Sequence, residues 1–475
     1  MDDHATLHIT VRDLVTHVSG LPRHDLSWYN ASISRAEAMS RLAHLEPNKD
    51  LRQEWQYQNF MFVVAGLIVE RLTGAPWEDA VRARLFAPLG MKTANFSVRD
   101  MQKSADFALP HGLREKKLAV IPFRDIAMVG PAGSINASAR DIAQWLRMHL
   151  SGGQAEGKRV LQQATVTELH TPVAVAGGHP TDQNVMLSTY ALGWFADSYR
   201  GHFRVHHGGA IDGFVAHVGM LPLDGYGVAV FANREGTGLP EMVARTIFDR
   251  LLDLESGDWL MKGATEYAVA KEMSNEAEAK QGEMRIAGTK PSRAIEGFAG
   301  TYEHPGYGRI VVAHDKGALT LTYNGIAAPL EHWHYDVFAG KKDAEDQTFA
   351  GSLFAFRTAL DGRVESLVAP FELLLDPIVF QRAPDPRLSD PAYLARFVGA
   401  YALGPQTVTM GLRGNVLTAS LPGQPTYELV PEENDTFALK GLEGFRVAFD
   451  SDAKGVVKGA RFLQPNGVFE AAKMP

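Results

Sequence analysis

Hydrophobic positions along the chain change period twice. From Phe60 to Gly74 the run FMFVVAGLIVERLTG is apolar almost all round. Such a pattern predicts a helix buried on every side, and Gly74 suits the left-handed residue that ends one. Ahead of it, VRDLVTHVSGLPRH predicts a short helix broken at Gly20 and Pro22. Behind it, WEDAVRARLFAPLGM predicts an amphipathic helix halted at Pro88, and SARDIAQWLRMHLSGG one capped by Ser138, with Asp141 three residues on and an end at Gly152. Alternation then takes over. HFRVHH, GFVAHVGMLP and YGVAVFAN predict strands, the last two joined by a Leu-Asp-Gly turn. MVARTIFDRLLDL closes this half as an amphipathic helix.

The second change comes near residue 261. MKGATEYAVAKEMSNEAEAKQGEMR is charged and alanine-rich, which predicts a solvated helix, and IAGTKPSRA follows as a linker. Short β-type runs separated by turns fill the rest, predicting an all-β domain of hairpins, most simply a small barrel. Phe298-Ala-Gly-Thr-Tyr302 recurs as Phe397-Val-Gly-Ala-Tyr401, so two similar halves closing one barrel are expected. The expected organisation is an α/β region over residues 1–260, a helix and linker over 261–293 and a β-barrel domain over 294–475.

The 475 residues are 45% hydrophobic and 21% charged, with a net charge of −8, a globular balance without the basic footprint of a nucleic-acid binder. The chain has no cysteine, which excludes thiol catalysis, disulfides and thiolate zinc sites. No run of about 18 apolar residues predicts a membrane span. The first residues lack the charged-then-apolar pattern of a signal peptide, so no export is read from them.

Three stretches carry candidate chemistry. Tyr57-Gln58-Asn59 stands at the head of the apolar helix, where Asn59 is either a helix cap or a site residue and Tyr57 either a buried phenol or a proton carrier. His207-Gly208-Gly209 ends a predicted strand, and glycines there let a substrate backbone approach as an added edge strand. Gly130-Pro131-Ala132-Gly133-Ser134 predicts a loop lining a cleft. His202, His206, His207 and His217 invite a metal reading, but no acid is interleaved with them, and His207 points away from the face shared by His202 and His206. No metal or cofactor is therefore assigned. His17 is read as bonding locally, Trp28 and Tyr29 as packing or flanking the cleft, and Asp212 as a turn residue.

Together these stretches resemble the serine β-lactamase and penicillin-binding-protein superfamily, in particular its class C-like, CubicO-type hydrolases. LVTHVSGLP resembles that family's Leu-Leu-x-His-x-Ser-Gly-Leu-Pro signature, Tyr57-Gln58-Asn59 its Tyr-x-Asn motif, GPAGSINASARDIAQW its Pro-Ala-Gly loop, and His207-Gly208-Gly209 its His-x-Gly strand. The resemblance covers residues 7–254, and residues from 294 on resemble the lipocalin-like domain attached to some of these hydrolases. It implies an antiparallel sheet packed by helices with a helical lobe, and a cleft between them. It implies a metal-independent serine hydrolase of an amide or ester, a β-lactam, D-amino-acid peptide or small ester, working through an acyl-enzyme. Tyr57 would move the proton, Asn59 would orient the substrate, and the strand of His207, Gly208 and Gly209 would bind it and give one N–H to the oxyanion hole.

The family's nucleophile lies in a Ser-x-x-Lys upstream of the Leu-x-x-His signature. Here the one Ser-x-x-Lys is Ser451 to Lys454, in a predicted hairpin turn of the barrel domain, and no Gly-x-Ser-x-Gly occurs. The expectation is a missing N-terminal segment, or a partner copy, that completes the site and covers the helix around Phe62 and Leu67. The alternative is a catalytically inactive homologue that binds a peptide or peptidoglycan fragment.

Overall fold

The computed structural model describes residues 2–180, 182–342, 346–360, 362–432 and 435–475. The apolar run forms the helix Asn59–Thr73, ended by Gly74 at φ 68°. Only Phe60, Met61, Val63 and Gly66 of this helix are buried, so much of its apolar surface is half-covered. The next helix does not stop at Pro88. It widens into a π turn over Arg82–Phe86 and runs on to Leu89, where Gly90 at φ 67° ends it. A proline costs a helix least where few further bonds depend on it. Helix Ala139–Leu150 is capped by Ser138, which accepts the Asp141 N–H. The Asp141 carboxylate does not complete the box and instead accepts the backbone N–H groups of Lys92 and Thr93.

Six antiparallel strands form the central sheet, in the order Tyr226–Ala232, Phe214–Leu221, His202–Ile211, Phe195–Tyr199, Val185–Tyr190 and Ala174–Val175. Alternation along it separates two cores. Val205 and Met220 face helix Ala139–Leu150, and Tyr199 and Leu221 face helix Leu239–Leu251. The charged run becomes helix Trp259–Glu283, solvated along nearly all its length because only Trp259 is buried. No single helix among the described residues is long and apolar enough to cross a membrane.

The C-terminal region is all-β as expected, but it makes two closed eight-stranded barrels instead of one. Strand Gly300–His304 pairs with Ile378–Arg382 to close the first, and Gly399–Leu403 pairs with Gly467–Lys473 to close the second. Each repeat supplies the eight strands that a barrel needs to enclose a core of side chains, so neither needs the other. The shared motif plays the same part twice: Tyr302 donates to the Phe298 carbonyl at 2.8 Å, and Tyr401 to that of Phe397 at 2.8 Å.

The first barrel is docked on the α/β region. Its apolar interior is continuous with Leu14, Trp28, Leu45 and Phe60. Tyr323 donates to the Leu26 carbonyl at 3.0 Å, Asn324 to that of Tyr29 at 3.0 Å, and Glu372 accepts the His24 N–H at 2.8 Å. The segment from His24 to Asn30 is thereby pinned from the barrel side.

Candidate active site

Gln58 caps the Asn59–Thr73 helix. Its side-chain oxygen accepts the Phe60 N–H at 2.7 Å, and its amide nitrogen donates to the Pro22 carbonyl at 2.6 Å. Asn59 is thus relieved of the capping that the sequence allowed it. Its side chain instead donates to Asp25 at 3.3 Å. Asp25 also holds the Arg23 guanidinium at 2.6 Å, and that guanidinium stands over the Tyr57 ring, 5.0 Å from its centre. No hydrogen bond engages the Tyr57 hydroxyl among the described residues. Burial raises the Tyr57 pKa; Arg23 opposes the rise, and Asp25 adds to it.

His17, on the left-handed turn at φ 58°, is wholly buried behind Tyr57, with ring centres 4.3 Å apart. Its Nδ1 accepts the Gln58 N–H at 3.1 Å, which puts the proton on Nε2. That N–H has no acceptor among the described residues. Burial, helped by the positive charges it would meet at His207 and Arg23, lowers the His17 pKa to about 3, so the ring is neutral.

His207 comes from the other wall. Its ring centre lies 6.0 Å from that of Tyr57, although 150 positions separate the two residues. Its Nδ1 donates to the Gly208 carbonyl at 2.5 Å, which leaves Nε2 to accept the Tyr190 hydroxyl at 3.0 Å. Burial lowers the His207 pKa. Both ring nitrogens of this neutral imidazole are thus engaged, one by the Tyr190 hydroxyl. Beyond the pair His206–Phe195 the strand has neighbours, among the described residues, only on the Phe214–Leu221 side. Residues 207–211 therefore present a free edge. A side chain at Gly208 or Gly209 would meet only Ala216, at 3.7 and 3.9 Å, so the fold itself does not demand glycine there. Both glycines are exposed.

A cleft of about 550 Å³ runs from Arg23, Asp25 and Asn59 past Ala210, Ile211 and Asp212 to Asp346, Gln347 and Thr348 of the first barrel. Trp28 and Tyr29 line it, and Tyr29 donates a short bond to Asp212. A larger hollow of about 810 Å³ lies around Arg35, Glu70 and Glu78; Asn59 lines the smaller cleft and not this one, and Tyr57 and His207 line neither. Ser134 is buried outside the cleft, its hydroxyl donating to the Gly130 carbonyl at 3.4 Å. Ser451 accepts from Arg396 at 3.4 Å in the second barrel.

The four strand histidines do not converge on one point. His202 meets Asp224 at 3.0 Å and His206 meets Asp197 at 3.1 Å, while Arg204 grips Asp197 with two bonds. His217 stacks on His206, on the face opposite His207. Sequence reasoning passed over Arg23, Asp25 and Tyr190. Arg23 and Asp25 directly follow the Ser-Gly-Leu-Pro turn, which marks them as near the Tyr57 wall. Nothing in spacing marks Tyr190.

A family model described as Beta-lactamase matches residues 1–252, more than half of the chain. The chain belongs to the Beta-lactamase family. A second model, a domain of unknown function named DUF3471, matches residues 284–382 and so takes in the first barrel. Among curated relatives, this beta-lactamase-family chain is 26% identical over 333 residues to Unguisins hydrolase ungD' of Aspergillus campestris, covering 66% of this chain and 60% of that protein. It is 30% identical over 176 residues to Penicillin-binding protein 4 of Amycolatopsis lactamdurans, covering 36% of this chain and 45% of that one. The chain thus spans 60% or less of the length of these relatives. Among solved structures, the octameric penicillin-binding protein homologue from Pyrococcus abyssi aligns over 78% of both chains at 18% identity, with a TM-score of 0.47.

Proposed function

We propose that this chain carries the substrate-binding and proton-handling half of a class C-like, CubicO-type serine hydrolase site, acting on an amide or ester through an acyl-enzyme. The observation that carries the reading is that the Tyr57 and His207 rings face each other, centres 6.0 Å apart, beside a free strand edge whose end, with Asn59, lines the cleft. The substrate lies along residues 207–211, where Gly208 and Gly209 admit its backbone. Asn59, held by Asp25, turns its amide to the substrate. Tyr57 carries the proton between an attacking serine and the leaving group. Its hydroxyl is unengaged and its pKa raised, so it starts as the neutral phenol. A second cation beside Arg23, of the kind a Ser-x-x-Lys lysine supplies, would favour the phenolate and let Tyr57 act as a base. The serine delivers both the acyl acceptor and a second oxyanion N–H.

A second reading is a binding protein without turnover. It is favoured because, among the described residues, no serine hydroxyl is hydrogen-bonded to Tyr57 or His207, whose ring nitrogens go to Gly208 and Tyr190. The two readings part on a fluorophosphonate label. The test compares residues 1–475 with the same reading frame extended by its upstream in-frame codons. The hydrolase reading expects a labelled serine in the extended chain, none in residues 1–475, and loss of ester turnover in Tyr57→Phe. No label on either chain, with peptide binding intact, would establish the binding protein instead.

A further inference from the structure

Helix Trp259–Glu283 is held at its two ends and by little between. At its start Trp259 is buried and donates its indole N–H to Asp249 at 2.7 Å, and Arg234 reaches the Tyr267 hydroxyl at 3.3 Å. Near its end Gln281 donates to the Gly351 carbonyl at 2.9 Å and Glu278 meets Lys342, both on the first barrel. From Ala268 to Ala277 every residue is exposed, and none of their side chains makes a hydrogen bond or ion pair among the described residues. Helices in proteins draw most of their stability from packing one face, and here about three turns pack against nothing.

The uncovered surface is patterned. Val269, Met273 and Ala277 follow one another at intervals of four, which places them on one side of the helix. Val269 is 54% exposed and Met273 65%, although both are apolar. Glu266 stands seven residues before Met273 and Lys280 seven after it, a heptad each way and so on the same side. Both are exposed, and neither has an ion-pair partner among the described residues. The face is therefore complementary to itself when reversed. A second helix of this sequence, laid antiparallel with Met273 on Met273, meets Glu266 with Lys280 at both ends and sets Val269 against Ala277 on both sides. A parallel copy would set Glu266 on Glu266 and Lys280 on Lys280, and both contacts would repel.

We infer that the exposed face of helix Trp259–Glu283 docks a second copy of the chain, antiparallel about Met273, in a two-fold pair closed by two Glu266–Lys280 contacts. One patch is used twice, as a two-fold pair requires. The contact is a single short helix from each copy, so the pair is a reversible one.

The test is sedimentation equilibrium of residues 1–475 across the micromolar range, where a monomer–dimer equilibrium is expected. Met273→Glu, a change at an exposed position that the fold tolerates, should leave only monomer. Glu266→Lys alone and Lys280→Glu alone should each weaken the dimer about tenfold, because two attractive contacts become two repulsive ones. Glu266→Lys combined with Lys280→Glu should restore the dissociation constant to within about twofold, since the reversed charges again face each other. A chain that stays monomeric throughout would overturn the inference. A dimer indifferent to Met273→Glu would overturn it too, by placing the contact elsewhere. Single variants that weaken the dimer without recovery in the double variant would overturn the antiparallel register.

Discussion

The two barrels are copies of one motif with opposite relations to the rest of the chain. The second keeps its core to itself, with Phe397, Tyr401, Phe437 and Phe449 packed inside one closed cluster. The first shares its core with the α/β region, bonds to the His24–Asn30 segment and sends Asp346 to the cleft. Asp25 lies in that pinned segment and Arg23 directly precedes it, so the barrel's bonds to His24 and Leu26 hold the backbone on either side of the partner of Asn59. The lesson is that a repeat conserves how a barrel closes, not what it does. Closure depends on strand pairing and the Tyr-to-carbonyl bond, which both copies have. Docking depends on outward side chains such as Asn324 and Glu372.

Acid should separate the two regions most widely. His17, His149 and His217 have pKa values lowered to about 3 and His170 to about 4, in each case chiefly by burial. Each binds its proton more readily when unfolded. The stability gained from keeping these rings neutral is therefore full above about pH 6.5 and lost as pH falls toward 4, at about 1.4 kcal/mol per pH unit for each ring. All four lie in the α/β region, and residues 383–475 contain no histidine. Hydrogen exchange at pH 7.5 and 5 should show protection falling across the α/β region and holding in the second barrel. Parallel loss in both would break the distinction.

Core truncations give the next effect. Phe371→Ala in the shared cluster and Phe449→Ala in the closed one remove rings of similar burial, and each should cost about 3–5 kcal/mol in urea unfolding of its own region. Only Phe371→Ala should also weaken peptide binding in the cleft, because Phe371 packs on Tyr323, whose hydroxyl holds Leu26. Equal weakening by Phe449→Ala would show that the second barrel is coupled after all. The smallest effect is the twin pair Tyr302→Phe and Tyr401→Phe. Each loses one buried hydrogen bond to a carbonyl and should cost about 1–2 kcal/mol. Similar losses would sharpen the view that closure is the conserved part.

Much of this architecture was legible in local pattern. The apolar run with Gly74 behind it, the Ser138 cap and the alternating strands are written within a few residues of where they act. Short motifs draw attention to Tyr57, Asn59 and His207, and the fold brings the Tyr57 and His207 rings within 6.0 Å of each other. What stayed hidden depends on contacts distant in sequence. Pro88 sits one residue before the helix ends, just after a π turn that the sequence does not mark. The choice of Gln58 over Asn59 as cap depends on Pro22, and the aim of His207 on Tyr190. The Phe-x-Gly-x-Tyr repeat announced two copies but not whether they close together or apart, which depends on where Arg382 and Lys473 come to lie.

The central proposal is that residues 1–475 carry the substrate wall and the Tyr57 side of a hydrolase site, with no serine hydroxyl bonded to Tyr57 among the described residues. Steady-state turnover of a p-nitrophenyl ester and a chromogenic cephalosporin by residues 1–475 tests it directly. The account predicts rates close to the uncatalysed reaction, since loss of a nucleophile lowers turnover by roughly 10⁶ in a serine protease and a missing oxyanion donor by a further ~10²–10³. Saturable hydrolysis that Tyr57→Phe abolishes would contradict it and would require a nucleophile within these residues.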